Sequence, residues 1–115
     1  MELTVTDDDT AVAFRSGTVP VLATPRLVAL VEEASVVAVQ QQLAAGETTV
    51  GMRVQLDHLA PTPVGATVLA EANLDKVEGR RLTFTVSVTD GRGLVAVGKV
   101  TRVVVDEQRF LERAG

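Results

Sequence analysis

The chain has no cysteine, no tryptophan and no tyrosine, and its 115 residues include a single histidine. Without cysteine there are no disulfides, no thiolate ligands and no cysteine nucleophile. One histidine without a second leaves no ligand set for a metal such as zinc. The three phenylalanines are the only aromatics, so the stacking platforms of single-strand nucleic-acid binders are missing. A formal charge of −4 is also the wrong sign for a phosphate backbone. No apolar stretch reaches the roughly 18 residues of a membrane span. The start, Met1-Glu2-Leu3-Thr4-Val5-Thr6-Asp7-Asp8-Asp9, has neither the basic nor the apolar region of a signal peptide. These exclusions lead to an expectation of one cytoplasmic domain over residues 1–115, with no nucleic-acid, membrane or metal partner.

What remains is rich in Val, Ala and Leu, with 46% hydrophobic and 23% charged residues. Leu3-Thr4-Val5 reads as a short strand. Ala11–Phe14 and Val19–Leu22 read as extended pieces around a Ser16-Gly17 turn. Thr24-Pro25 is a helix-start signal, with Thr able to cap and Pro suited to the first helical position. The segment from Pro25 to about Ala45 has no internal Gly or Pro. Leu27, Leu30, Val31, Ala34, Val37 and Ala38 form a stripe at helical spacing, and Gly46 supplies a stop. Its many valines are poor helix formers, so burial must hold the segment helical.

Four alternating strands follow, Thr48 to Leu59, Ala66 to Val77, Arg81 to Thr89 and Leu94 to Val105, joined by Pro- and Gly-marked turns. The short later turns predict antiparallel neighbours. The last strand is apolar on both faces, which predicts a partner surface, most simply a second copy of the chain. The pattern gives an α+β fold in which one long buried helix is wrapped by a curved antiparallel sheet.

Candidate chemistry centres on His58. Strict alternation places Val50, Met52, Val54, Leu56 and His58 on one face of their strand, with Gly51, Arg53, Gln55 and Asp57 on the other. An imidazole on an inward face is either a satisfied core group or a general base. Thr24 is either a helix cap or a reacting hydroxyl. Glu32, two turns into the helix, either marks a solvated edge or orients and supports His58. Arg80, Arg81 and Arg102 are either solvated charges or contacts for the phosphates of a ligand.

In combination, Val21-Leu22-Ala23-Thr24-Pro25, Glu32 on the helix, Val50-Gly51, Leu56-Asp57-His58-Leu59-Ala60-Pro61-Thr62-Pro63-Val64-Gly65 and Val77-Glu78-Gly79-Arg80-Arg81-Leu82-Thr83-Phe84 resemble the fluoroacetyl-CoA thioesterase-like family of hot-dog-fold proteins. The resemblance spans roughly Val19 to Val105. It implies a hot-dog fold and a homodimer with active sites between protomers. It also implies hydrolysis of acyl-CoA thioesters without a cofactor. Thr24, Glu32 and His58 fall on the family's catalytic positions, and Gly51 on the glycine near the reacting carbonyl. Arg81 and Arg102 complete the expected substrate contacts. Fluoroacetyl-specific members carry a phenylalanine-rich lid before the threonine motif. Here that stretch is Arg15-Ser16-Gly17-Thr18, with Phe14 beside it, which leaves the acyl group open. A non-catalytic acyl-CoA-binding module and a structural dimer with a vestigial site are the competing readings.

Overall fold

Alternating strands have one dry face to cover, and here a single helix covers it. The computed structural model describes residues 1–115. Its elements are β1 (Glu2–Thr4), α1 (Ala11–Phe14), α2 (Thr24–Val39), β2 (Glu47–His58), β3 (Thr67–Glu78), β4 (Arg81–Asp90), β5 (Gly93–Asp106) and α3 (Glu107–Arg113). The five strands form one antiparallel sheet in the order β1-β3-β4-β5-β2. The sheet curls around α2 in the hot-dog arrangement. No helix is long and apolar enough to cross a membrane.

The core lies between α2 and the inner face of the sheet. Leu27, Leu30 and Val31 pack on Val68, Ala70, Leu82, Phe84, Val86, Val88 and Val100. The period-2 pattern of β4 holds throughout, with Leu82, Phe84, Val86 and Val88 buried. The helix stripe holds for three turns only. Val37 and Ala38 are exposed, and Ser35 and Val39 are buried instead.

Several boundaries differ from expectation. Ala11–Phe14 is a short helix, because the Thr10 hydroxyl accepts the Ala13 N–H and caps it. Four apolar residues carry too little periodicity to separate helix from strand. The long helix ends at Val39, followed by a 3-10 turn over Gln40–Gln42, and Gly46 lies beyond it at φ 82°. The N-cap of α2 is Ala23, and Thr24 is the first helical residue, with no side-chain cap.

The largest departure is in β2. The pairing with β5 runs Gly51 opposite Arg102 and then Arg53 opposite Thr101, so Met52 is an extra, bulged residue. A bulge shifts the side-chain phase by one. Before it, Thr49 and Gly51 face α2. After it, Val54, Leu56 and His58 do, and Met52 is exposed. Strict alternation had put Gly51 and Met52 on the wrong faces.

The entry into α2 is pinned from two sides. The Ala23 N–H donates to the Asp9 carbonyl, and the Leu22 N–H donates to the Thr62 carbonyl in the loop after β2. Asp9 is itself buried. Its carboxylate accepts the Thr6 N–H (2.8 Å), the Thr6 hydroxyl (2.9 Å) and the Arg26 Nε–H (3.0 Å). Burial works to raise its pKa, but these three donors outweigh it and hold the carboxyl below its ordinary value of 3.8. A depressed pKa means stabilisation that is present above pH 3.8 and lost as the pH falls through the folded-state value. Asp9→Asn should therefore cost about 1–3 kcal/mol at neutral pH. The difference from wild type should shrink toward pH 3, as read by urea unfolding at the two pH values.

Candidate active site

Two separate polar pairs lie along α2. At its N-terminus, Thr24 Oγ1 lies 2.8 Å from His58 Nδ1. The hydroxyl that sequence reading offered as a helix cap is instead directed at the imidazole. His58 ends β2 and is half-buried, and its Nε2 is buried with no hydrogen-bonding partner in the chain. The imidazole is held in place by the strand on one side and by the following loop on the other. Both Leu59 and Ala60 N–H groups donate to the Val95 carbonyl.

Two turns along α2, Glu32 meets Arg102. The Arg102 Nη1–H donates to Glu32 Oε2 at 3.0 Å. The Nε–H donates to Thr49 Oγ1 and the Nη2–H to the Thr49 carbonyl, both at 2.9 Å. Arg102 is only 6% exposed, whereas the Glu32 side chain is 35% exposed and half-open to solvent. Arg102 was expected to reach ligand phosphates. Its position on the inner face of β5 commits it to Glu32 and Thr49 instead. Thr49 escaped sequence reading altogether, because a threonine in a strand has no signal beyond β propensity.

Gly51 sits across from this pair. A Cβ at Gly51 would run into Glu32 Oε2 and come within 3.5 Å of Arg102 Nη1. The absent side chain is what leaves room for the ion pair beside β2. Glu32 and Arg102 border a cleft of about 410 Å³ that is otherwise lined by Met1, Ala29, Glu33, Val36 and Val37. Arg81 lies elsewhere. It is exposed at the start of β4, opposite Val103 and beside Arg80, at the end of the sheet.

The chain therefore supplies an imidazole engaged by a hydroxyl at a helix N-terminus, with its other nitrogen buried, and a carboxylate held by a buried guanidinium. Such a set suits addition of water to a carbonyl and collapse of the adduct. Residues 5–108 match the model for the fluoroacetyl-CoA-specific thioesterases. This chain belongs to that family.

A fluoroacetyl-CoA thioesterase from Streptantibioticus cattleyicolor is 40% identical over 90 residues. The match covers 78% of this chain and 65% of that protein, so the chain spans just under two thirds of the curated relative's length. Solved structures agree. A mutant of a fluoroacetyl-CoA-specific thioesterase, in complex with fluoroacetate and CoA, superposes with a TM-score of 0.93 at 32% identity, covering 99% of this chain and 94% of that one. A hot-dog-like protein from Thermanaerovibrio acidaminovorans gives 0.89 at 32% identity, over 100% of this chain and 88% of that one.

Within this family member, Gly51→Ala should push the Glu32 carboxylate off Arg102 and cost about 1–2 kcal/mol. In a Glu32→Ala background the same glycine substitution should cost much less. Chemical denaturation of the four proteins of that cycle measures the coupling, and a cost independent of Glu32 would contradict the contact.

Proposed function

We propose that the chain is an acyl-CoA thioesterase: it hydrolyses a CoA thioester to the free acid and CoA. The observation that carries this reading is the 2.8 Å contact between Thr24 Oγ1 and His58 Nδ1. When the buried Nε2 carries the proton, the Nδ1 lone pair accepts the Thr24 O–H. Nδ1 takes the Thr24 hydroxyl proton while that hydroxyl takes one from a water whose oxygen bonds to the thioester carbonyl carbon. The oxyanion forms at the α2 N-terminus, where first-turn N–H groups lack helical partners, and near the Gly51 backbone. The C–S bond then breaks, and the thiolate leaves with the proton from His58. Glu32, positioned by Arg102, stabilises positive charge developing on the imidazolium side of the site. Gly51 leaves space for the reacting carbonyl, and Arg81 contacts the anionic end of the ester. Base, hydroxyl and ion pair are all side chains, so no cofactor or metal enters the scheme. A cytoplasmic location fits a substrate class that is made and consumed there.

We further place the working site between two copies of the chain. Thr24 and Glu32 lie about 12 Å apart along the axis of α2, too far to act on one carbonyl. His58 and Gly51 are separated by about 23 Å of strand. However, β2 is an edge strand with an unpaired side. Antiparallel pairing with a second β2 centred at Val54–Gln55 sets His58 opposite Gly51 of the other copy. Each site then combines Thr24 and His58 from one protomer with Glu32, Arg102 and Gly51 from the other.

Two experiments test these statements. On a panel of acyl-CoA esters, His58→Ala should lower turnover about 10²- to 10⁴-fold without loss of fold. Binding of the esters by the wild-type protein with no release of thiol would favour the non-catalytic module. Inactive His58→Ala and Glu32→Ala proteins, mixed and allowed to exchange subunits, should regain about a quarter of wild-type activity, because half the dimers then hold one intact site. No recovery after verified exchange would place all the catalytic groups in one protomer.

A further inference from the structure

β5 outlasts β4. The last β4–β5 pair is Arg81 with Val103, yet β5 continues to Asp106 before α3 begins. Beyond β4, the sheet end is closed by Arg80, whose carbonyl accepts the Val104 N–H. The result is a groove of about 400 Å³ floored by Val103 to Val105 and walled by Arg80, Arg109, Phe110 and Arg113.

We propose that this groove binds the phosphorylated nucleotide end of the CoA ester, an inference that rests on the thioesterase reading. Three observations carry it. First, a chain of net charge −4 gathers three arginines around one groove, with Arg81 next to it. Second, the two arginines of α3 are uncommitted. Arg109 and Arg113 have no carboxylate within 4.0 Å, whereas Arg80 meets Glu47 at 3.6 Å and donates to the Val104 carbonyl at 3.3 Å. The one acid lining the groove, Asp106, accepts the Arg109 backbone N–H as the cap of α3. Third, Arg109 and Arg113 are one helical turn apart, so they share a face with a fork-like spacing for phosphate oxygens. Phe110 and the valine floor add an apolar surface on which a purine can stack.

The position is right for the same ligand. Arg102, at the inner site, and Asp106, at the groove, are four residues apart on β5, about 13 Å. An extended pantetheine arm spans more than that. The thioester can therefore sit at Gly51 and Glu32 while the phosphates reach the groove around the open end of the sheet.

The test compares wild type with Arg109→Ala/Arg113→Ala, neither residue being part of the catalytic set. One acyl group is presented on CoA, on 3′-dephospho-CoA and on pantetheine. The double variant should raise KM for acyl-CoA roughly tenfold with kcat unchanged, and leave KM for the pantetheine ester unaltered. Direct titration of adenosine 3′,5′-bisphosphate should show binding to wild type that weakens with salt and is lost in the variant. Equal KM values for the two proteins on acyl-CoA, or a bisphosphate affinity no better than that of inorganic phosphate, would overturn the proposal. The titration separates the two failures. A wild-type protein that binds the bisphosphate through these arginines but cleaves no thioester would refute the activity and leave the groove standing. Cleavage indifferent to the arginines would do the reverse.

Discussion

Arg102 carries a full charge into the interior, and most of the site's geometry follows from how that charge is satisfied. Burying an unpaired guanidinium costs far more than a domain of this size can spare. Here three of its N–H groups are taken, one by the Glu32 carboxylate and two by Thr49. Those partners come from α2 and β2, while Arg102 itself is on β5. One side chain therefore ties the helix to the two strands at the working edge of the sheet. The pair does not need to add net stability to matter. A buried ion pair replaced by apolar residues is often no less stable. What it fixes is position: the Glu32 carboxylate has one place to be, half-open to the cleft.

The glycine and the bulge are consequences of the same constraint. With Glu32 Oε2 lying over β2, no side chain fits at position 51. For Gly51 and His58 both to face α2, seven residues apart, the strand must change phase between them, since an odd spacing in a regular strand points the two ends to opposite faces. The extra residue at Met52 provides that change. The bulge is therefore what lets one strand present both an empty position beside the carboxylate and an imidazole beside the α2 N-terminus.

Sequence patterning carries the elements whose burial is one-sided and regular. β4 is legible from Leu82, Phe84, Val86 and Val88, and His58 was picked out because an imidazole interrupted an apolar face. The α+β fold class is legible in that patterning, while the assignment of Thr24, Glu32, Gly51 and His58 to a site rests on the family resemblance. Four things could not be read from the sequence. A bulge has no side-chain signature of its own, so the face of Gly51 was misread while that of His58 was right. The Thr24 hydroxyl has identical local chemistry whether it caps a helix or meets an imidazole, and only the path of the loop at Thr62 decides. The pairing of Arg102 spans 70 residues from Glu32 and 53 from Thr49, a long-range relation that periodicity does not encode. The arginines of α3 were missed for a related reason: Arg109 and Arg113 look like ordinary surface charges until β5 is seen to outrun β4.

The layout also explains why so much apolar surface remains on α2. Val36 and Val37 are exposed beside the cleft that holds Glu32, although the helix is otherwise packed on the sheet. A monomer would gain by making those positions polar, since exposed valine contributes neither helix propensity nor solubility. They make sense under the proposed two-copy arrangement, in which the Glu32–Arg102 cleft they border is covered by the other protomer. A second copy related by a two-fold axis through β2 covers its own equivalent surface at the same time. The separation of Thr24 and Glu32 along the helix then stops being an obstacle to chemistry. It becomes the spacing that a two-fold axis needs to bring one end of each helix to the middle of the other.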